Sequence, residues 1–342
     1  MDLQLFDDFS QIPESDSIKD KVPIFALPLY AEWIKKEKDY STVWFYVKSE
    51  EIQLLIPFSI MKRGPFKKGM FLTAVLKLSG DCSIELEKDF LDRIIVWITE
   101  EKACDWIQQA PNWAIYRTYP ENAVAVPFGS YIIDIELNSV EKLFNNIKTN
   151  TRGDIRKAQL IGINLVNGQS NIEDLFELIK NTAEKANISY PSLNQIRLMH
   201  EHFKKNIKSC IAYYKDMPQA GVIFYHTPFC IYAMYAGSVK NPARGSNSFL
   251  YWHTAIEKAK EEGIKKFDFV GAIINPGKES KDYQIQKFKE SLGARLNQGY
   301  IWKYVISKEK YFVYNKYVKL VSLVQKRAKA LDIIDRVLQD SR

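Results

Sequence analysis

Short apolar stretches separated by polar turns dominate the first 140 residues of the chain. Stretches rich in β-branched and aromatic residues predict strands, because such side chains pack well on a pleated surface. The segment 85–103 differs, since its apolar residues recur every three or four positions, as in an amphipathic helix. The predicted strands of this half lie at 42–48, 52–61, 70–76, 105–110, 112–117 and 130–137, with breaks at 63–65 and 67–69.

A similar order of elements begins again further along the chain. A charged helix over 145–158 leads into it, and a helix over 171–186 presents apolar residues on one face. Mixed strands and helices in this order favour an α/β class with mixed sheets, and the repetition favours two tandem copies of one fold. The remaining elements predicted here are a helix at 192–205 and strands at 163–166, 209–215, 220–227 and 229–237.

Predicted helices and strands follow one another most closely in the stretch 249–303. A helix with Phe249, Trp252, Ile256 and Ala259 on one face closes on Gly263. A strand over 266–270 follows and breaks at Gly271, and a helix over 285–293 comes next. The latter is predicted to bury Ile285, Phe288 and Leu292, with Lys289 beside that face, and a last strand ends at 299–303.

The tail predicts one long helix over 309–338. Its apolar stripe lies opposite a basic side, which leaves two interpretations open. The helix packs on the domain with a solvated basic face, or it contacts an anionic membrane surface or a partner. The stripe consists of Val321, Val324, Ala328, Leu331 and Leu338, and the basic side of Lys316, Lys319, Lys326, Arg327 and Lys329.

The length of 342 residues suggests two domains, which we place at 1–144 and 145–308, followed by the helical tail 309–342. A net charge of +7 gives a mild preference for anionic partners such as CoA, tRNA, nucleotide-sugars or phospholipid headgroups. No apolar run is long enough to span a membrane, and the acidic N-terminus is unlike a secretory signal. Four widely spaced cysteines fit free thiols in a reducing cytoplasm.

The first stretch with candidate chemistry is the loop 241–248, which follows a strand that contains Tyr235 and precedes a helix. Backbone N–H groups at a helix N-terminus bind phosphates well, so Arg244 and Ser246 are candidate ligands of a phosphate. The loop lacks the R/Q-x-x-G-x-G/A spacing that GNAT enzymes use for acyl-CoA. A structural interpretation is equally open, in which Ser246 or Ser248 only caps the helix.

The second candidate is the charged helix around 149–158. Arg152 and Arg156 share a helical face, with Lys157 adjacent, and guanidinium groups suit bidentate phosphate contact. The alternative is a solvated helix in which Asp154 pairs with a neighbouring cation.

The third candidate is the pair of Lys289 and Asp268. Lys289 is interpreted as a group that stabilises an oxyanion or binds phosphate, or else as one more surface lysine. Asp268 alternates with Phe267 and Phe269 and is either a general base or, the favoured interpretation, a structural side chain. No metal site is predicted, because His200 and His202 lie two positions apart on a helix and are expected at the surface.

These motifs, in this order, resemble the FemAB family, a divergent branch of the GNAT acyltransferases. The resembling elements are A-x-x-x-G at 259–263, F-D-F-x-G at 267–271 and F-K at 288–289 with Gly293 beyond, together with the Arg-bearing helix before 161–164. The resemblance covers most of 145–306 and, more weakly, 24–144. It implies two GNAT-like domains and transfer of an amino acid from aminoacyl-tRNA to the peptide of a cell-wall precursor. The long helix pair that holds tRNA in some family members has no counterpart here.

Three hypotheses follow from the sequence. The first is FemAB-like aminoacyl transfer, with Lys289 and Asp268 at the reacting centre, Arg152, Arg156, Lys157, Arg244 and Ser246 as phosphate or substrate ligands, and Tyr235 and Phe288 as walls. The second is an acyl-CoA-dependent N-acyltransferase that modifies a sugar or amine in surface-polysaccharide synthesis. The third is a non-catalytic binding protein on the same fold. None needs a tightly bound cofactor, and all suit a cytoplasmic protein, free or at the inner face of the membrane.

Overall fold

The computed structural model describes residues 3–186, 188–324 and 332–340. Internal contacts divide them into two compact units, each assembled from separate stretches of the chain. Unit 1 comprises the residues up to 129, 271–274 and those from 298 onward, and unit 2 comprises 130–270 and 275–297. Both contain mixed strands and helices, which confirms the α/β class. The predicted division at 144/145 and 308/309 stays a prediction.

Unit 1 is built on strands that mostly pair antiparallel in the order β1-β2-β3-β4-β6, where only β4–β6 is parallel. Its strands are β1 (Leu3–Phe6), β2 (Tyr40–Lys48), β3 (Gln53–Arg63), β4 (Phe66–Phe71), β5 (Leu76–Ser79), β6 (Trp106–Ile107), the first part of β7 (Val124–Asp134), β13 (Ala272–Ile273) and most of β14 (Arg295–Val305). Its helices are α1 (Ser15–Ile18), α2 (Pro28–Lys38), α3 (Ile84–Glu100), α11 (Lys308–Val324) and α12 (Ile333–Asp340).

Burial on both faces explains the nearly continuous apolar sequence of β2 and β3. One face packs Phe45 and Phe58 against the buried side of α3, which includes Phe90 and Ile94. The other face packs Trp44 and neighbours against the N-terminal segment. Strands covered on both sides need apolar residues at successive positions. The predicted strand pair and the helix over 85–103 are therefore confirmed.

The other predictions for this half are less accurate. The turn at 63–65 is real, but it is a tight hairpin in which Arg63 pairs directly with Phe66. The break predicted at Lys67–Gly69 is wrong, because these residues lie inside β4, and the strand predicted at 70–76 begins four residues earlier. Gly69 is required there by space, since an added Cβ would lie 2.3 Å from the Phe58 ring. The segment 112–117 forms only a single bridge, between Tyr116 and Tyr300.

The predicted tail helix is interrupted. Helix α11 is described to Val324, and α12 begins at Ile333 because the Asp332 carboxylate accepts the backbone N–H of Asp335 and caps a new helix. The side chain of Ile334, rather than Leu338, is fully buried. The predicted stripe residues Ala328 and Leu331 and the basic residues Lys326, Arg327 and Lys329 lie outside the described residues. Within the described ranges, no helix is both long and apolar enough to cross a membrane.

Unit 2 is built on strands in the order β8-β9-β10-β11-β12, followed by the last part of β7. Its other strands are β8 (Asn164–Asn167), β9 (Ile207–Tyr214), β10 (Met217–His226), β11 (Ile231–Ser238) and β12 (Lys266–Asp268). Its helices are α4 (Val140–Asn146), α5 (Thr149–Leu160), α6 (Ile172–Ala186), α7 (Leu193–Phe203), α8 (Ser246–Tyr251), α9 (Lys258–Glu261) and α10 (Lys281–Ser291), with a π-helical stretch, Trp252–Glu257, between α8 and α9. The helix predicted over 145–158 is two helices, separated at Ile147 and Lys148.

A pair of glycines lets α6 lie directly on the sheet of unit 2. Gly221 and Gly237 are cross-strand partners on β10 and β11. A Cβ added at Gly237 would lie 2.0 Å from the backbone oxygen of Leu178 in α6, and one at Gly221 would lie 2.8 Å from Leu175. The helix therefore approaches the strands more closely than any side chain at these positions would allow.

We expect Gly237→Ala to destabilise the protein by about 1–3 kcal/mol, because the new methyl group would overlap a backbone carbonyl that cannot rotate away. Gly153→Ala is the matched control. Gly153 lies in α5 with open space around its Cα, so alanine should add about 0.5–1 kcal/mol through helix propensity. Urea unfolding of both variants measures the difference, and equal effects of the two substitutions would contradict the close approach of α6.

Candidate active site

Asp268 is a buried carboxylate at the end of β12 in unit 2. Strand β12 pairs in parallel with β11 through Tyr232 and antiparallel with β7 through Ile132. Only 6% of the Asp268 surface is exposed. Its carboxylate accepts the hydroxyl of Ser130 and, at 2.7 Å, the backbone N–H of Val270. These two hydrogen bonds are consistent with the structural role that the sequence favours for Asp268.

Val270 occupies a strained backbone conformation next to this carboxylate. Its φ is +46°, a region that β-branched residues rarely adopt. The surroundings hold the residue there from two sides, because its N–H donates to Asp268 and its carbonyl accepts Lys289 Nζ at 2.7 Å. Strain of this kind persists where tertiary contacts fix it, and it is common at functional sites.

Lys289 is buried on α10, also with 6% exposure. The helix starts at Ser280, whose hydroxyl accepts the N–H of Tyr283. The predicted buried face of this helix is partly wrong: Ile285 is 41% exposed, whereas Gln286 and Lys289 are buried. Hydrogen bonding of Lys289 to Val270, which no sequence pattern reveals, allows a polar side chain to take a core position. Its interpretation as one more surface lysine is wrong.

Burial of Asp268 and Lys289 opposes the ionisation of both groups, whereas their opposite charges favour it. Burial lowers the pKa of Lys289 to about 8, while the negative charges of Asp268 and Asp282 act in the other direction. Burial also raises the pKa of Asp268 to about 6, against the hydrogen bonds from Ser130 and Val270 and the positive charge of Lys289. Both groups therefore titrate closer to neutrality than in water, as groups that transfer protons or stabilise charge commonly do.

Three residues of this cluster were missed by sequence analysis, namely Ser130, Tyr131 and Glu290. Lys289 Nζ lies 5.9 Å from the centroid of the Tyr131 ring. The Tyr131 hydroxyl donates to Glu290 Oε1 at 2.9 Å. Burial is the larger cause and the contact with this carboxylate the smaller cause that raise the pKa of Tyr131 to about 12. Neither Tyr131 nor Ser130 is marked in the sequence, because both lie in an apolar strand whose pairing with β12 only the fold defines.

The predicted phosphate helix is largely engaged in local structure. The Arg152 guanidinium donates to the carbonyls of Asn145 and Ile147, each at 2.7 Å, and so caps the end of α4. The Arg156 guanidinium lies 5.4 Å from the centroid of the Phe144 ring. Lys157 is exposed. The phosphate-binding role of these three residues stays a prediction.

The predicted phosphate loop has similar local partners. The Ser246 hydroxyl donates to the Ala243 carbonyl at 2.7 Å rather than capping the helix. Arg244 forms an ion pair with Asp154 at 2.6 Å. This agrees with the alternative interpretation of the charged helix, in which Asp154 pairs with a neighbouring cation. Gly245 has a φ of +86°, and an added Cβ would lie 2.1 Å from the Asp154 carbonyl, so α5 lies tightly against this loop. A ligand role for Arg244 and Ser246 is untested.

The two predicted wall residues are half-buried in unit 2. Phe288 packs edge-on against Tyr251, with ring centroids 5.6 Å apart. Tyr235 pairs with Ile223 across β10 and β11, and burial raises its pKa.

The histidine prediction is partly wrong. His200 is buried, and its Nε2 lies 3.2 Å from the Ser209 hydroxyl, whereas His202 is half-buried. Among the described residues, no group of three or more His, Cys, Asp or Glu side chains could hold a metal ion. All four cysteines are free and buried, as predicted for free thiols.

Removing one charge of the buried pair should cost more than removing both. We expect Lys289→Met to lower the free energy of unfolding by about 3–5 kcal/mol, because it leaves the buried Asp268 carboxylate without its cation. The double variant with Asp268→Asn should recover most of that loss. Urea unfolding at neutral pH of the four proteins of this cycle measures the coupling, and a double variant no more stable than Lys289→Met would contradict it.

The stability should also depend on pH through Asp268. Because its folded pKa of about 6 exceeds the ordinary value of 3.8, the folded state binds a proton first as the pH falls. Relative to Asp268→Asn, the wild-type protein should therefore gain stability between pH 6 and pH 4, by roughly 3 kcal/mol at most. Unfolding of both proteins at a series of pH values tests the sign, and a loss of relative stability over this range would exclude a raised pKa.

The comparisons with known proteins agree on the fold. Residues 119–215 match the sequence model of the FemAB family, a range that includes β7 and α5. A solved structure described as FemX is 13% identical, covers 92% of this chain and 99% of its own, and has a TM-score of 0.66. No curated protein sequence matches this chain.

Two other solved structures are more distant. A tandem GNAT protein from the clavulanic acid biosynthesis pathway is 9% identical, covers 89% of this chain and 99% of its own, and has a TM-score of 0.49. The C-terminal domain of a putative lysylphosphatidylglycerol synthetase from Agrobacterium fabrum is 11% identical, covers 81% of this chain and 89% of its own, and has a TM-score of 0.47. Residues 119–215 are therefore similar in sequence to the FemAB family, and the fold of the chain is similar to that of the FemX structure.

Proposed function

We propose that this protein transfers an aminoacyl group from aminoacyl-tRNA to an amine of a cell-wall precursor peptide. The observation that carries the proposal is the buried Asp268–Lys289 pair, which belongs to the F-D-F-x-G and F-K elements of the FemAB resemblance. The match to the family over 119–215 supports it, because the matched range supplies Ser130 and Tyr131 to the same cluster.

The chemistry of the transfer is simple. The acceptor amine attacks the carbonyl carbon of the aminoacyl ester, and an oxyanion forms on the carbonyl oxygen. The carbon–oxygen bond to the tRNA ribose then breaks, an amide remains, and the amine proton ends on the released hydroxyl or a base. The protein must align the two substrates, stabilise the oxyanion and provide a path for the proton.

Lys289 fits the charge-stabilising role. With a pKa of about 8 it is mostly protonated at neutral pH, and its burial keeps water away from the charge. An ammonium in such surroundings stabilises a nearby oxyanion more than it would in water. Asp268, with a pKa of about 6, is mostly ionised at neutral pH and is the nearby group able to accept a proton, either directly or through the Ser130 hydroxyl.

The remaining predicted ligands would act in binding. Arg156 and Lys157 are exposed on α5 and suit the phosphates of either substrate, while Arg152 fixes the turn between α4 and α5. Phe288 and Tyr235 would line the path of the acyl group. Arg244 and Ser246 would contribute to donor binding if the donor phosphates lie at the loop before α8.

A second donor class, acyl-CoA, has its own support in the strand pairing. Strands β11 and β12 pair in parallel only at Ile231–Phe267 and Tyr232–Asp268. Strand β11 continues to Ser238, so its later backbone groups do not pair with β12. Main-chain groups of β11 beyond the end of β12 would suit an extended thioester arm, which hydrogen-bonds to main-chain groups. This alternative would make the protein an N-acyltransferase for a sugar or amine.

Donor specificity is tested by thermal stabilisation of the purified protein with aminoacyl-tRNA and, separately, with acetyl-CoA at two salt concentrations. Salt-sensitive stabilisation by aminoacyl-tRNA alone supports the proposed reaction. Stabilisation by acetyl-CoA alone overturns it in favour of the second donor class. If neither donor stabilises the protein, a non-catalytic binding role on the same fold is the better explanation.

We expect Lys289→Ala to lower the transfer rate tenfold or more, or about 1.4 kcal/mol in transition-state free energy. Lys287→Ala is the matched control, because Lys287 is two residues away on α10, exposed and paired with Glu290. The control should keep its activity. Both variants are compared at a temperature where unfolding measurements show them to be folded, and a folded Lys289→Ala protein with unchanged turnover would remove Lys289 from the reacting centre.

A further inference from the structure

Helix α11 in unit 1 is apolar on the side that faces the protein and also on the side that faces solvent. Its inner side places Tyr311 and Tyr314 against Trp106, with ring centroids 5.7 and 4.6 Å apart. Its outer side exposes four large apolar residues to more than half of their full area. They are Phe312 (59%), Val313 (55%), Tyr317 (60%) and Leu320 (63%), which we call the outer face.

The outer face is continuous along the helix. Val313, Tyr317 and Leu320 follow the spacing i, i+4 and i+7, and Phe312 lies alongside. Lys316 lies within it and places its Nζ 4.4 Å from the centroid of the Phe312 ring. A helix on the surface of a protein normally has a polar outer side, so an apolar one marks an interaction surface. The one acidic residue in this stretch of α11 is Glu309, in its first turn.

A basic hairpin lies beside this helix. The ring of Phe66, the first residue of β4, contacts Tyr314 of α11 with ring centroids 5.4 Å apart. The residues around that turn read Lys62-Arg63-Gly64-Pro65-Phe66-Lys67-Lys68, which gives two cations on each side of the Gly64–Pro65 turn.

Three cations of this hairpin have no acidic partner in the described part of unit 1. Among the described residues, no carboxylate lies within ion-pair distance of Lys62, Arg63 or Lys68, and Lys67 Nζ donates to the Lys102 carbonyl. Lys68 is half-buried above the Tyr40 ring. Its burial and the nearby positive charge of Arg63 and Lys38 lower its pKa to about 8. A cluster of like charges in these surroundings would be stabilised by an anion.

We propose that the outer face of α11 and the Lys62–Lys68 hairpin together dock unit 1 on the surface of an anionic lipid bilayer. The apolar side chains enter the boundary between headgroups and acyl chains, Tyr317 and Lys316 lie at its polar edge, and the hairpin cations contact lipid phosphates. A second copy of the chain is a poorer occupant, because a symmetric contact through this face would bring two basic hairpins together. This docking is independent of the proposed acyl transfer.

Full-length protein and sedimented vesicles test this proposal. The vesicles contain phosphatidylcholine alone, or phosphatidylcholine with one-third phosphatidylglycerol. Binding to the anionic vesicles should be at least tenfold tighter and should weaken as salt is raised, because headgroup charges are screened. Equal binding to both vesicles, or binding to neither, would overturn the proposal.

Two sets of variants separate the apolar and the charged contributions. Tyr317→Asp with Leu320→Asp should reduce binding to anionic vesicles at least tenfold, and Val96→Asp, at a 54% exposed apolar position on α3, is the matched control. Lys62→Gln and Arg63→Gln should each reduce binding about fivefold, with exposed Lys185→Gln on α6 as control. The Asp and Gln variants should unfold like wild type and keep their acyl transfer to a soluble acceptor. Wild-type vesicle binding by the outer-face variants, or a concentration-dependent dimer that they abolish, would contradict membrane docking.

Discussion

The burial of two opposite charges, Asp268 and Lys289, is the constraint that organises unit 2. Each has lost nearly all contact with water and is held by neutral hydrogen-bond partners, while the charge of each group partly offsets the effect of burial on the other. Burial of either charge alone would cost several kcal/mol, so neither is tolerable without the other. The two meet at Val270, whose unfavourable φ is fixed between them. The strained turn, the short strand β12 and the position of α10 therefore depend on one electrostatic arrangement.

Burial of the two charges costs stability, and it keeps both of them out of contact with water. Both pKa values move toward neutrality, which means that burial makes each charge less favourable in the folded protein than in water. A fold retains such a pair most readily where it serves a reaction, and amide-bond formation by acyl transfer needs a cation near an oxyanion and a proton acceptor close by. The proposed acyl transfer would use the pair in this way, on a fold similar to that of the FemX structure.

Unit 1 has a different character. Its sheet is covered on both faces by apolar side chains, and α11 is held through Trp106, Phe66 and the ion pair between Lys310 and Asp105. That leaves the opposite side of α11 apolar and exposed, beside a hairpin in which Lys62, Arg63 and Lys68 have no carboxylate partner among the described residues. If both proposals hold, docking on a bilayer would raise the local concentration of any acceptor that is held there.

The sequence by itself determined whether a segment is a helix or a strand where the spacing of its apolar residues and its length indicate the same element. The β2–β3 pair, α3, α6 and the helix–strand–helix run from 249 to 291 follow from local patterns. The short motifs of that run carry the resemblance to the FemAB family, whose sequence model matches residues 119–215. Local patterns failed where tertiary contacts decide. Lys67 and Lys68 lie in a strand because β3 and β6 pair with them, and Gly69 is required by the Phe58 ring. Lys289 was singled out by its motif, yet only the structure shows that it is buried, because its partner Val270 is 19 positions away and its environment includes Tyr131 of a distant strand. No local sequence pattern marks Ser130 and Tyr131 as site residues. A residue inside an apolar strand gains a chemical role only from the residues that the fold places opposite it.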